Sequence, residues 1–219
     1  MKVDIENYSH IIWDWNGTLL NDVELCANIM NELLTMESLP KISVEKYRNI
    51  FKFPVEEYYR SAGHKFKKNS FEILGKEFMM KYETGKSQCS LSPGAIELLQ
   101  DFSQRNIHQH ILSAYEQNSL NKIVDQFRIK KHFKQIIGLD NIYADGKMKL
   151  AEKLIKIINN NGEDQKVLMI GDTLHDLEVA LHINADCILI ANGHQSKERL
   201  EEGGAFVFDD LIELKKTIK

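Results

Sequence analysis

The stretch His10-Ile11-Ile12-Trp13-Asp14-Trp15-Asn16-Gly17-Thr18-Leu19-Leu20 carries an apolar run into an acid and then breaks at Asn-Gly-Thr. A short continuous apolar run closed by a turn signal suits a strand buried on both faces. The strand is expected over residues 10–15. Runs of the same form recur at 108–112, 135–139, 167–170, 187–191 and 206–208, several of them ending in Ser, Asp or Asn-Gly. Between them, 93–105, 118–127, 149–159 and 176–183 place apolar residues at a spacing near 3.6 and are expected to be crossover helices. Strands alternating with helices imply an α/β fold with a doubly wound parallel sheet.

Residues 22–88 break that rhythm. They lack a convincing strand and read as helices over 23–36, 44–50, 55–61 and 71–83, divided by turn signals such as Leu39-Pro40, Phe53-Pro54 and Gly63. The expected organisation is a core built from 1–21 and 89–219, interrupted after its first strand by an α-helical insert over 22–88.

Composition narrows the functions. With 43% hydrophobic and 27% charged residues, the 219-residue chain can bury a core and is not expected to be disordered. A net charge of -4 leaves no basic face for nucleic acid. No apolar stretch approaches the roughly 18 residues needed to span a membrane, and the first residues lack the pattern of a signal peptide. Cys26, Cys89 and Cys187 are odd in number and far apart, which suits reduced thiols and a cytoplasmic setting.

In open parallel sheets, ligands gather at the carboxyl ends of the strands. That rule assembles Asp14, Ser113 and Asp172, with Lys147 expected just before the helix that feeds the fourth long strand. Carboxylates with a hydroxyl and an ammonium suit a hard divalent cation and a phosphate. Gly17 permits a tight departure from the strand and is expected to leave backbone N–H groups facing an anion, while Thr18 would hold the loop or the phosphate. Asp172 and Asp176, four apart, can face one site if Asp176 lies in a first helical turn. Taken singly, the first stretch also reads as an ordinary Asx turn and the second as a helix N-cap with an acidic first turn.

In order, Asp14-Trp15-Asn16-Gly17-Thr18-Leu19-Leu20, Ser113 in HILSAYE, Lys147 in YADGKMKLAEKL and Gly171-Asp172-Thr173-Leu174-His175-Asp176 resemble the four motifs of the haloacid dehalogenase-type phosphohydrolases. The insert resembles the helical cap of the subgroup containing phosphoglycolate phosphatase. The resemblance implies that Asp14 attacks phosphorus and becomes an aspartyl phosphate. It implies Mg²⁺ held by Asp14, the backbone carbonyl of Asn16 and Asp172. Ser113, Ala114, Gly17, Thr18 and Lys147 would bind the phosphate, and Asp176 would orient Lys147 or a water. Lys147 fits the third motif better than its neighbour Lys149. The implied substrate is a small phosphorylated metabolite, and the implied assembly a monomer or homodimer.

One position departs from the pattern. The family's phosphatases usually carry a second Asp where this chain has Asn16, and an amide cannot exchange the proton that general acid–base catalysis needs. Slow turnover, a substitute base such as His175, a phosphate-binding protein without turnover, and transfer to an alcohol acceptor all follow as readings. Dehalogenation and phosphonate cleavage fit less well, because the acidic metal set is kept and no insert lysine has an evident desolvated setting. Residues 47–53, rich in cations and aromatics, are expected to meet the leaving group, and 191–196 to form either part of the rim or a plain turn and helix N-cap.

Overall fold

The computed structural model describes residues 3–139, 147–159 and 165–218. Six strands form one sheet: β1 (His10–Trp13), β4 (His108–Glu116), β5 (Phe133–Leu139), β6 (Val167–Gly171), β7 (Asp186–Ile190) and β8 (Phe206–Phe208), in the order β5-β4-β1-β6-β7-β8. All five pairings are parallel. Helices α5 (Ala95–Gln104), α6 (Gln117–Gln126), α7 (Lys147–Ile158), α8 (Leu174–His182), α9 (Lys197–Glu202) and α10 (Leu211–Thr217) accompany it. Successive strand residues point to opposite faces, and the core divides accordingly. Ile11 and Trp13 pack in the cluster that holds Leu98, Leu99 and Phe102 of α5. Ile12 and Met169 pack instead with Ala151 and Leu154 of α7 and Val179 of α8. The sheet is therefore covered on both sides, as its unbroken apolar strands require.

The chain winds outward from β1 to β4 and β5, then crosses back to place β6 on the other flank of β1. The strand order reverses there, and a crevice opens at the carboxyl ends of β1 and β6. Asp14 N still donates to Ile170 O at 2.9 Å, so the pairing holds up to the acid itself.

Before that crossing stand α1 (Val23–Met36), α2 (Val44–Ile50), α3 (Val55–Ala62) and α4 (Phe71–Gly85). Cys26, Ile29, Met30 and Leu33 are buried on α1, which packs against α4. The insert is entered through β2 (Leu20–Asn21) and left through β3 (Ser90–Leu91), an antiparallel pair matching Leu20 to Leu91 and Asn21 to Ser90. Two residues per strand show no sequence period, so this neck is not expected from the sequence.

Several bounds differ from the sequence reading. The first strand ends at Trp13 rather than Trp15, because the chain turns at Asp14 to form the site loop. β4 runs on to Glu116, with a register irregularity between Leu112 and Glu116, so Ser113 and Ala114 lie inside the strand rather than at its end. α7 begins at Lys147, and α8 at Leu174 under a Thr173 capping box.

Candidate active site

Asp14, Lys147, Asp172 and Asp176 meet in the crevice, each at most 6% exposed. Lys147 Nζ donates to Asp14 Oδ1, and to Asp176 Oδ1 at 2.6 Å. The other oxygen of Asp176 accepts from Thr173 Oγ1 at 2.7 Å and from the backbone N–H of Thr173 at 3.0 Å. Asp176 thus serves two ends at once: it closes the helix N-terminus and aims Lys147 at Asp14. Lys149, its neighbour, is exposed.

Carboxylate oxygens of Asp14, Asp172 and Asp176 lie within 4.8 Å of one another. Burial, with Asp176 and Asp172 adding like charge against the pull of Lys147, pushes the Asp14 carboxyl well above its ordinary range. Burial also raises Asp172, to about 6, against the pull of His194. Three gathered carboxylates against one ammonium leave negative charge without a counter-charge. An all-oxygen donor set in that state fits a hard divalent cation such as Mg²⁺.

Glycines make this density possible. A Cβ on Gly17, at φ +78°, would stand 2.2 Å from Asp172 Oδ2, and one on Gly193 would stand equally close to that atom. Gly17→Ala therefore meets both a strained backbone and a buried carboxylate. It is expected to destabilise the protein by about 3 kcal/mol or more, read as a lower urea midpoint; an unchanged midpoint would show that the loop is not packed on Asp172.

Two expectations for the first loop need correction. The Gly17 N–H does not face an anion, because it donates to Leu20 O and to Asp22 Oδ1, both at 2.9 Å. Thr18 is fully buried, and its hydroxyl donates to Asp172 Oδ1 at 3.0 Å, so it anchors the acid rather than facing a phosphate. Ser113 is buried in the wall of the crevice, where its Oγ accepts from Tyr115 N at 3.1 Å and keeps its own O–H to donate. Ala114 and Asn16 line the same cavity. Residues 140–146, which include the start of the Lys147 motif, lie outside the described residues.

The sequence reading missed Asp22, Tyr82 and the full part played by His194. Asp22 stands at the head of α1 without capping it. Its carboxylate turns into the site instead, accepting from Asn16 Nδ2 at 2.8 Å and Tyr82 Oη at 2.7 Å. His194 Nε2 pairs with Asp22 at 3.2 Å, and its backbone N–H donates to Asp172 Oδ2 at 2.6 Å. His194 is therefore more than rim, and its place after β7 follows the strand-end rule. Burial would raise Asp22, but the His194 imidazolium and the hydrogen bonds from His194, Asn16 and Tyr82 outweigh it and hold the carboxyl low. Burial would likewise lower His194, yet its pairing with Asp22 and the nearby Asp172 and Asp14 carry it up to about 9.

That shift has a pH signature. A histidine raised in the fold above its ordinary 6.5 stabilises fully below that value and loses the contribution as pH climbs through about 9. In metal-free buffer, the parent is expected to lose on the order of 3 kcal/mol between the two values. His194→Gln should flatten that part of the profile, as chemical denaturation at each pH would show; parallel profiles would mean that the pair is not charged.

His175 contacts neither Asp14 nor Asn16 in the hydrogen-bond network. Its Nδ1 lies 3.1 Å from Glu178, and its ring packs 4.9 Å from Phe53. The 47–53 segment divides in function. Tyr47 Oη meets His194 Nδ1 at 2.8 Å, and Arg48 donates to the carbonyls of Gly193 and Asn192 at 3.0 Å, so both tie the insert to the loop after β7. Phe51 and Phe53 line the cavity.

Comparison with known proteins identifies the family and the fold. The family described as haloacid dehalogenase-like hydrolase matches residues 11–190. A phosphoglycolate phosphatase of Caulobacter vibrioides is 22% identical, over 96% of this chain and 91% of its own. A haloacid dehalogenase-like hydrolase family protein of Streptococcus pneumoniae superposes with a TM-score of 0.78 at 17% identity, covering 96% of this chain and 98% of that one. Protein tyrosine kinase A of Mycobacterium tuberculosis also superposes at 0.78, with 18% identity and coverage of 95% and 97%. At such identities the superpositions speak for the fold alone.

Proposed function

The chain belongs to the haloacid dehalogenase-like hydrolase family, and from that premise we propose that it is a Mg²⁺-dependent phosphatase that cleaves a small-molecule phosphate monoester through an aspartyl phosphate at Asp14. The observation that carries the reading is the buried meeting of Asp14, Asp172 and Asp176 with Lys147 at the reversal of strand order. On this reading residues 1–21 and 89–219 supply the chemistry and 22–88 form the cap. The reduced cysteines suit a cytoplasmic setting, and no described helix is long and apolar enough to cross a membrane.

The Asp14 and Asp172 carboxylates and the Asn16 backbone carbonyl would hold the metal. When bound, Mg²⁺ supplies positive charge that lets an anionic nucleophile approach an anionic phosphoryl group. The protein's own groups do the rest. Lys147, aimed by Asp176, meets a phosphoryl oxygen and offsets its charge, and Ser113 donates its O–H to another, beside Ala114. The Asp14 oxygen attacks phosphorus in line, and the bond from phosphorus to the ester oxygen breaks. Water then cleaves the phosphoryl group from Asp14. Asn16 can neither protonate the departing oxygen nor deprotonate that water, so esters of basic alcohols turn over slowly. Acetyl phosphate, whose leaving acetate needs no proton, suffers less.

The test is phosphate release from acetyl phosphate and a panel of phosphorylated metabolites, with and without Mg²⁺. Multiple turnovers that require Mg²⁺ are expected. Tight binding with no release from any of them would replace this reading by that of a phosphate-ligand-binding protein, which Asn16 favours.

A further inference from the structure

The site opens into a cavity of about 730 Å³ walled by the insert, and its character differs from that of the crevice below. Phe53, Val55, Phe71, Phe78 and Met79 line it, and each is only partly covered by the rest of the protein. Such apolar surface inside a concavity is what a ligand covers with gain, since the water it displaces has few polar partners there. Tyr58 lies in the same wall.

Charge points the same way. Among the described lining residues there is no arginine. Lys147 is paired with Asp14 and Asp176, and His194 with Asp22, while Lys76 and Lys149 are exposed. Arg48 is held by the loop carbonyls of Asn192 and Gly193 and does not line the cavity. Glu72 and Glu116 also line it. A second anionic group on the substrate would find no unpaired buried cation among the described lining residues to receive it.

We infer that the leaving group this chamber accepts is an uncharged alcohol with an aromatic or bulky apolar body, and that a carboxylate-bearing ester such as phosphoglycolate is disfavoured. The inference rests on the proposed phosphatase site, because the phosphate must sit at Asp14 for the leaving group to reach the chamber.

Non-hydrolysable phosphonates separate the chamber from the chemistry. With Mg²⁺ and the full chain, calorimetry should find 2-phenylethylphosphonate at least about tenfold tighter than ethylphosphonate. The carboxylate analogue 3-phosphonopropionate should bind no better than ethylphosphonate. Equal affinity of the two compounds with uncharged tails, or tightest binding of the carboxylate, overturns the inference. Met79→Lys, which sets a cation in the apolar wall, should reverse the order of 2-phenylethylphosphonate and 3-phosphonopropionate; an unaltered order also overturns it. Release of phosphate from acetyl phosphate, measured beside these, reports on the phosphatase reading alone. If acetyl phosphate is cleaved but the phosphonates do not discriminate, the substrate class falls and the phosphatase stands.

Discussion

Asp14→Asn is expected to lose at least about 10⁴-fold in phosphate release while unfolding at a higher temperature than the parent in metal-free buffer. The two effects have one origin. Asp14 is buried beside Asp172 and Asp176, and burial followed by that like charge holds its carboxyl well above the ordinary range despite Lys147. A carboxyl raised in the fold costs stability at every pH above its unfolded value, so at neutral pH its removal relieves the native state. Lys147 keeps Asp176 at 2.6 Å and is not stranded by the change. The amide, however, has no charge with which to attack phosphorus. The gain in stability should shrink as pH falls toward the range in which Asp14 is protonated in both states. It should shrink too with saturating Mg²⁺, which favours the carboxylate. Melting curves in chelator and in Mg²⁺, run beside a phosphate assay, check both halves. Turnover retained by the variant would place the nucleophile elsewhere, and a lower melting temperature in chelator would mean that Asp14 is not strained by its neighbours.

Asn16→Asp is expected to fail as a simple repair. The Asn16 amide donates to Asp22 Oδ2 at 2.8 Å and to Tyr82 Oη at 2.6 Å, and Asp22 is buried. A second carboxylate in that position would remove the donor and set two acids in contact away from water. The cost is about 3 kcal/mol or more if both ionise, and otherwise one of them takes a proton and is lost as a base. The single variant should therefore melt lower than the parent with little gain in rate. Adding Asp22→Asn returns a donor to that contact, and its carbonyl oxygen can still accept from Gly17 N, which meets Asp22 Oδ1 at 2.9 Å in the parent. The double variant should hydrolyse alkyl phosphates about 10²-fold faster than the parent, while the loss of the Asp22–His194 pair, 3.2 Å apart in the parent, keeps it less stable than the parent. Thermal melts and steady-state rates on the three proteins decide it. A single variant as stable as the parent and already faster would mean that Asp22 does not carry charge at this contact. Asn16 and Asp22 are thus best understood together: an acid at one position makes an amide at the other favourable.

Local signals were legible in the sequence. The apolar runs around Ile11-Ile12-Trp13 and Val167–Gly171, each closed by an acid or a glycine, announced buried parallel strands. The helical period of 23–36 and 44–50 marked α1 and α2 to the residue. Asp14, Asp172, Asp176 and Lys147 could be placed together because strand ends in an open parallel sheet share one edge. Each of these readings needs only the pattern of a short window and one topological rule.

What the chain's residues do to one another across the fold was not legible. Asp22 looks like any acid at a helix start, and His194 like any residue in an Asn-Gly turn. Their pairing, the Tyr47 contact to His194 147 residues away, and the neck joining Leu20 to Leu91 exist only once the insert closes on the crevice. The sequence by itself determined the strand and helix order and which acids share an edge, because periodicity and turn chemistry are local. Only the tertiary structure decided where Gly17, Thr18 and Asn16 direct their polar groups, because a hydrogen bond goes to whichever partner packing brings within 3 Å or so.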